Sequence, residues 1–200
     1  MERKNTLEKV AYHEAGHAVS CVEFAIEFNG IEIRPCCDHP EEWTGEVDRA
    51  PFNYDKRDIQ PDKPPPIGEP CSERRLNEIV VLLAGVAVER ILREEWGPVD
   101  MKDLGERSRD WQKCRDLAEA VFGAWHSPPP VTTGRLNWEM AQRRDRVATA
   151  YLNWKLLQTQ ALLNSPRLWA RVEALARELV RRRRMSADEV RSLLAEVAPA

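Results

Sequence analysis

Two histidines four residues apart enclose a glutamate in the run His13-Glu14-Ala15-Gly16-His17. On a helix, residues four apart share a face, so both imidazoles can reach one metal ion. Imidazole is a good zinc ligand. Glu14, next to the first histidine, is set to meet metal-activated water rather than the metal itself. This is the HExxH arrangement of zinc metallopeptidases, with Glu14 as the general base. The ordinary alternative is a pair of histidines on a partly exposed helix face. A location inside a strongly helical stretch argues against that coincidence. Two histidines leave a tetrahedral site one protein ligand short. Glu89, Asp100, Asp103, Asp110 and Asp116 are the downstream carboxylates, and spacing does not choose among them. His39 and His126 are further donors, each beside prolines in an expected loop. Gly16 sits mid-helix, where glycine costs about 1 kcal/mol relative to alanine. A peptide or a neighbouring helix approaching closely would account for it, as would a tolerated defect.

The elements that position these residues read as mainly helical. Asn5 or Thr6 can cap a first helix, and Glu8, three residues after Asn5, makes a capping-box pattern. Apolar residues from Leu7 to Ile26 recur at helical spacing, so the helix is expected to run to about Phe28 and end near Asn29-Gly30. Ile31 to Pro35 alternates apolar and charged residues and reads as a strand, with a second strand around Trp43 to Val47. Residues 48–70 are proline-rich and too long for a simple connector. Ser72 is expected to cap a helix with a wide apolar face from Leu76 to Leu92, ended by Gly97-Pro98. Further helices are expected over about 106–125, 137–163 and 166–183, the last with Ser165 as cap and proline in the first position. A final helix starts after Ser186, with Glu189 completing a capping box. The expected fold is one helical domain over residues 1–200, with a small sheet near the HExxH helix and a Pro-rich insertion at about 48–70.

Beyond the metal motif, the order of segments resembles the peptidase domain of FtsH-type proteases. Val10-Ala11-Tyr12-His13-Glu14-Ala15-Gly16-His17-Ala18-Val19 is similar to the start of that domain. Ile31-Glu32-Ile33-Arg34-Pro35 is similar to its strand ending in proline. Val81-Leu82-Leu83-Ala84-Gly85-Val86-Ala87-Val88-Glu89 is similar to its Gly-x-Ala-x-Glu helix, and the segment Ser108 to Ala118 to its Ser-Asn-Asp-Leu segment. The paired helices from Val172 to Leu194 look like its end. The resemblance implies Asp110 as the third zinc ligand, with Asp103 as runner-up because it precedes a leucine, as the family's aspartate does, but lacks the pattern that follows. It also implies assembly into rings. Three features depart from the family. The 200 residues contain no Gly-x-x-x-x-Gly-Lys-Ser/Thr phosphate loop and no membrane helix. The stretch from Cys36 to Pro70 is longer than the usual loop. Arg90 follows Glu89 where another glutamate is usual.

Composition narrows the remaining classes. The formal net charge is −3, so nothing global points to nucleic acid. The basic run Arg181 to Arg184 is short and is expected on a helix end, where it complements the dipole. No apolar run approaches the ~18 residues of a membrane span. Met1 to Lys9 is charged and unlike a signal peptide, so the cytoplasm is the expected compartment. Five cysteines, odd in number and irregularly spaced, fit free thiols rather than a disulfide framework. Cys36 or Cys37 closing the open metal position is a conceivable latency device, with ordinary thiols the plainer reading.

Together these residues predict an ATP-independent zinc endopeptidase acting on unfolded or extended polypeptides. Its partners are expected to be a polypeptide substrate, and either further copies of itself or a separate unfoldase. Glu14 is the expected base; His13, His17 and Asp110 are the expected ligands of Zn2+. Glu89 is either an outer support of a ligand histidine or part of a surface ion pair. Either the Ile31–Pro35 or the Trp43–Val47 strand could pair with a peptide. The competing readings are a catalytically inactive, zinc-stabilised interaction module, and a helical adaptor that binds through Trp138, Trp154 and Trp169.

Overall fold

The computed structural model describes residues 6–49, 70–97, 99, 109–123 and 134–197. Among them are six helices and one three-stranded antiparallel sheet. The 48–70 insertion, Asn5, Asp100, Asp103 and His126 fall wholly or mostly outside these residues.

The first helix, α1 (Leu7–Glu23), is capped by Thr6, whose backbone is extended and whose side-chain oxygen accepts from the Lys9 amide at 3.3 Å. With Thr6 as cap, Lys9 takes the third helical position, so Glu8 is not the partner of a capping box. α1 ends five residues before the expected Phe28. Ala25 takes the left-handed conformation (φ 51°), and the Ile26 amide reaches back to the Cys21 carbonyl at 2.8 Å. This satisfies the orphan carbonyls in the way a glycine ending would. The early stop lets Phe28 fold back into the core, where it is 5% exposed.

β1 (Gly30–Pro35) and β2 (Trp43–Asp48) follow as a hairpin, pairing Ile31 with Val47 and Ile33 with Gly45. Their inward side chains pack toward α1 through the buried Ile31 and Ile33. α2 (Pro70–Leu92) crosses α1 and also meets α3 (Arg109–Gly123) and α4 (Gly134–Leu163). In the last turn of α2, the buried Arg90 donates to Gln160 Oε1 and to the Gly97 carbonyl of the following turn. Gln160 in turn donates to the Glu95 carbonyl. The turn is thereby tied to α4 by groups that would otherwise be costly to bury.

α5 (Pro166–Arg182) packs on the other side of α1. Ser165 occupies its cap position without a side-chain cap bond; its hydroxyl donates instead to the Leu162 carbonyl at 2.7 Å. The arginine run does not lie on the helix end as a block. Arg183 turns left-handed (φ 67°), and Arg184 opens an unforeseen strand, β3 (Arg184–Ser186). β3 pairs with β1 and buries Met185 opposite Ile31. α6 (Ala187–Glu196) starts with the expected reciprocal box between Ser186 and Glu189. One contiguous apolar cluster draws residues from all six helices and from β1 and β3. Full burial of each large aliphatic in it contributes on the order of 1.5–3 kcal/mol. No described helix is long and apolar enough to cross a membrane.

Candidate metal centre

α1 places His13 and His17 one turn apart, with their rings edge to face and 4.8 Å between centroids. α2 runs against them and offers three groups on one ridge, spaced by four residues: the Val81 carbonyl, Gly85 and Glu89. His17 Nδ1 lies 2.6 Å from the Val81 carbonyl oxygen. A carbonyl only accepts, so this nitrogen carries the proton. His13 Nδ1 lies 2.8 Å from Glu89 Oε1. Burial alone would push the Glu89 carboxyl up. The hydrogen bond from His13 and the charges of His13, Lys9 and Arg93 outweigh burial and hold it at about 2. Glu89 is therefore an acceptor, and His13 Nδ1 is a donor.

With each Nδ1 engaged in this way, the two Nε2 atoms turn toward each other, 3.1 Å apart. Asp110, in the first turn of α3, brings Oδ2 to 3.4 Å from His17 Nε2. Burial works against the Asp110 charge. The hydrogen bond from His17, with the charges of His17, Lys113 and His13, keeps its carboxyl well below the ordinary range. The donor atoms of His13, His17 and Asp110 all lie within 4.8 Å of one another, and no other described group of this kind could hold a metal ion. Two imidazole nitrogens and a carboxylate that face one point can share a cation placed between them. Donors about 2.0–2.1 Å from a tetrahedral zinc stand roughly 3.3 Å apart. The 3.1 and 3.4 Å separations fit that spacing. Two imidazoles and a carboxylate also suit other first-row metals.

Glu14 lies on the same helix but turns toward β2. It is 6% exposed, and among the described residues no donor hydrogen-bonds to its carboxylate. Burial raises its pKa to about 7; His17 pulls the other way, while Asp110 and Glu46 add to the rise. The missing side chain at Gly45 makes room for it: a Cβ there would stand 3.0 Å from Glu14 Cδ and closer still to Cγ.

Gly16 and Gly85 owe their identity to the α1–α2 contact. A Cβ on Gly16 would come within 2.7 Å of Val88 Cγ2 and 2.9 Å of the Ala84 carbonyl oxygen. A neighbouring helix, rather than a peptide, therefore occupies that space. A Cβ on Gly85 would fall into the His13 ring.

The structure brings His13, His17 and Asp110 together and sets Glu89 behind His13. It leaves Asp116 exposed on α3 beside Gln112, and His39 exposed in the β1–β2 turn. Cys36 and Cys37 are in that same turn and do not join the donor group. The Val81 carbonyl and Gly45 went unnoticed in the sequence, since a backbone acceptor has no residue signature and Gly45 is distant in the chain from Glu14. No protein-family model matches the chain, and no curated protein matches it either.

Proposed function

We propose that this chain is a zinc-dependent endopeptidase of the FtsH type, cutting unfolded or extended polypeptides. The observation that carries the reading is the convergence of two imidazoles and a carboxylate beside a buried, unpartnered carboxylate. His13, His17 and Asp110 would hold the ion. When bound, zinc supplies Lewis-acid chemistry, polarising a carbonyl and acidifying water. Glu89 and the Val81 carbonyl fix the two ring tautomers so that both Nε2 atoms stay available. Glu14, with its pKa raised to about 7, is matched to taking a proton near neutrality and returning it to the leaving amine. The absence of a side chain at Gly45 leaves the space that the Glu14 side chain occupies. β1 is flanked on both sides by other strands among the described residues; of the two edge strands, β2 lies against Glu14 through Gly45 and would align a peptide.

The test is cleavage of casein or a peptide library by the purified chain, lost on chelation and restored by zinc. Glu14→Gln should retain one zinc and lose about 10²–10⁴-fold in turnover. Full activity in that variant removes Glu14 from the mechanism. A protein that binds zinc but cleaves nothing under any condition is instead a zinc-stabilised interaction module.

A further inference from the structure

The sheet has one open edge beside the candidate site. β1 pairs with β2 on one side and with β3 on the other, so among the described residues the edges are the far sides of β2 and of the three-residue β3, and β2 is the edge strand whose Gly45 adjoins Glu14. Side chains alternate along β2. Trp43, Gly45 and Val47 are half-buried, while Thr44, Glu46 and Asp48 are exposed. At Gly45 the inward space is taken by the buried Glu14 side chain. The next residue, Glu46, points outward directly opposite Glu32 of β1.

Like charges opposite one another destabilise a sheet. Glu32 is relieved by Arg184 of β3, whose Nε lies 4.0 Å away. Glu46 has no cationic partner among the described residues, and its charge reaches Glu14. From Cys36 to Asp48 the hairpin carries five carboxylates (Asp38, Glu41, Glu42, Glu46 and Asp48) and no lysine or arginine. Charge on an edge strand guards it against unwanted pairing. Lysine is the common guard; here the guard is acidic, so it repels acidic strands and favours basic ones.

Building on the peptidase reading, we propose that β2 selects extended polypeptides that place lysine or arginine opposite Glu46. An added strand would set one outward side chain directly across from Glu46, at cross-strand pairing distance. Glu46 adjoins Gly45, and Gly45 touches Glu14. The selected residue therefore lies within about two positions of the bond that is cut.

Two measurements on the zinc-loaded full chain test this. One is the cleavage profile over a peptide library randomised at every position. The other is binding of two fluorescent peptides, identical except for a central lysine or glutamate, to the Glu14→Gln variant. Lysine or arginine should be favoured over glutamine about two- to fivefold at one position near the cut. Glu46→Gln should flatten the preference, Glu46→Lys should invert it, and added salt should weaken it. Zinc content should stay unchanged in both variants. Cleavage that is indifferent to charge, or a preference that survives Glu46→Gln, overturns the inference and leaves the peptidase reading standing. Charge-selective binding that is lost in Glu46→Gln, without any cleavage, supports the edge and removes the peptidase. Neither cleavage nor selective binding overturns both.

Discussion

Glu89→Ala should weaken metal binding without unfolding the protein. In the native chain Glu89 Oε1 takes the Nδ1 proton of His13 at 2.8 Å, and this leaves Nε2 free to face His17 and Asp110. Alanine removes that acceptor, so the ring can rotate or shift its proton to Nε2. A hydrogen bond to a charged group is worth about 1.5–3 kcal/mol, which corresponds to about 10- to 150-fold in affinity. Losses of about 10- to 100-fold are usual when an outer partner of a ligand histidine is removed. Glutamine at the same position keeps an acceptor oxygen but not the charge, so Glu89→Gln should lose about tenfold or less. Glu89 also meets Lys9 at 3.4 Å and Arg93 at 2.6 Å. Those partly exposed pairs contribute about 0–1 kcal/mol of stability, so folding should survive both changes. Competition for zinc against a chromophoric chelator measures the affinity, with circular dichroism and a urea midpoint as fold controls. The expected order is native, then glutamine, then alanine. Equal affinities in all three folded proteins would refute the argument that Glu89 sets the His13 tautomer.

The other predictions use different parts of the molecule. Gly85→Ala gains up to about 1 kcal/mol of helix propensity. Its methyl nevertheless falls on the His13 ring, so zinc affinity should drop at least about tenfold, the lower end of such losses; unchanged affinity would show that the ring has room to move. Glu189 is held at about 2 by hydrogen bonds from the Ser186 backbone, from Arg182 and from the Ser186 hydroxyl. Its folded pKa lies below the ordinary 4.5, so its contribution is full above pH 4.5 and is lost as pH falls toward 2. Glu189→Gln should therefore flatten the acid limb of a pH–stability curve, and an unaltered limb counts against the cap. Iodoacetamide should label the exposed Cys37 in the native state well before Cys21 or Cys114. Burial drives the Cys21 thiol up to about 12 and that of Cys114 well above its usual value; early labelling of either would show that α1 or α3 opens readily.

Local patterns in the chain were enough to place most elements. Helical spacing put His13 and His17 on one face, and strand alternation located β1 and β2. The Ser186 box was legible because it spans four consecutive residues. Features without a local signature were not. β3 is three residues long, too short for any period to show. α1 stops at a left-handed alanine, a conformation that sequence assigns to glycine or asparagine.

The metal site divides along the same line. Residue type and spacing determined that His13, Glu14 and His17 form one unit on one helix, because helix geometry depends only on near neighbours. Spacing left five carboxylates equivalent as further donors. Tertiary packing separated two of them: it brought Asp110 to the Nε2 side of His17 and Glu89 to the Nδ1 side of His13. The same packing recruited the Val81 carbonyl and emptied the space at Gly85 and Gly45. Those contacts join residues many turns apart in the chain. Their distances follow from how α1, α2, α3 and β2 pack together, and no periodicity within one element encodes that.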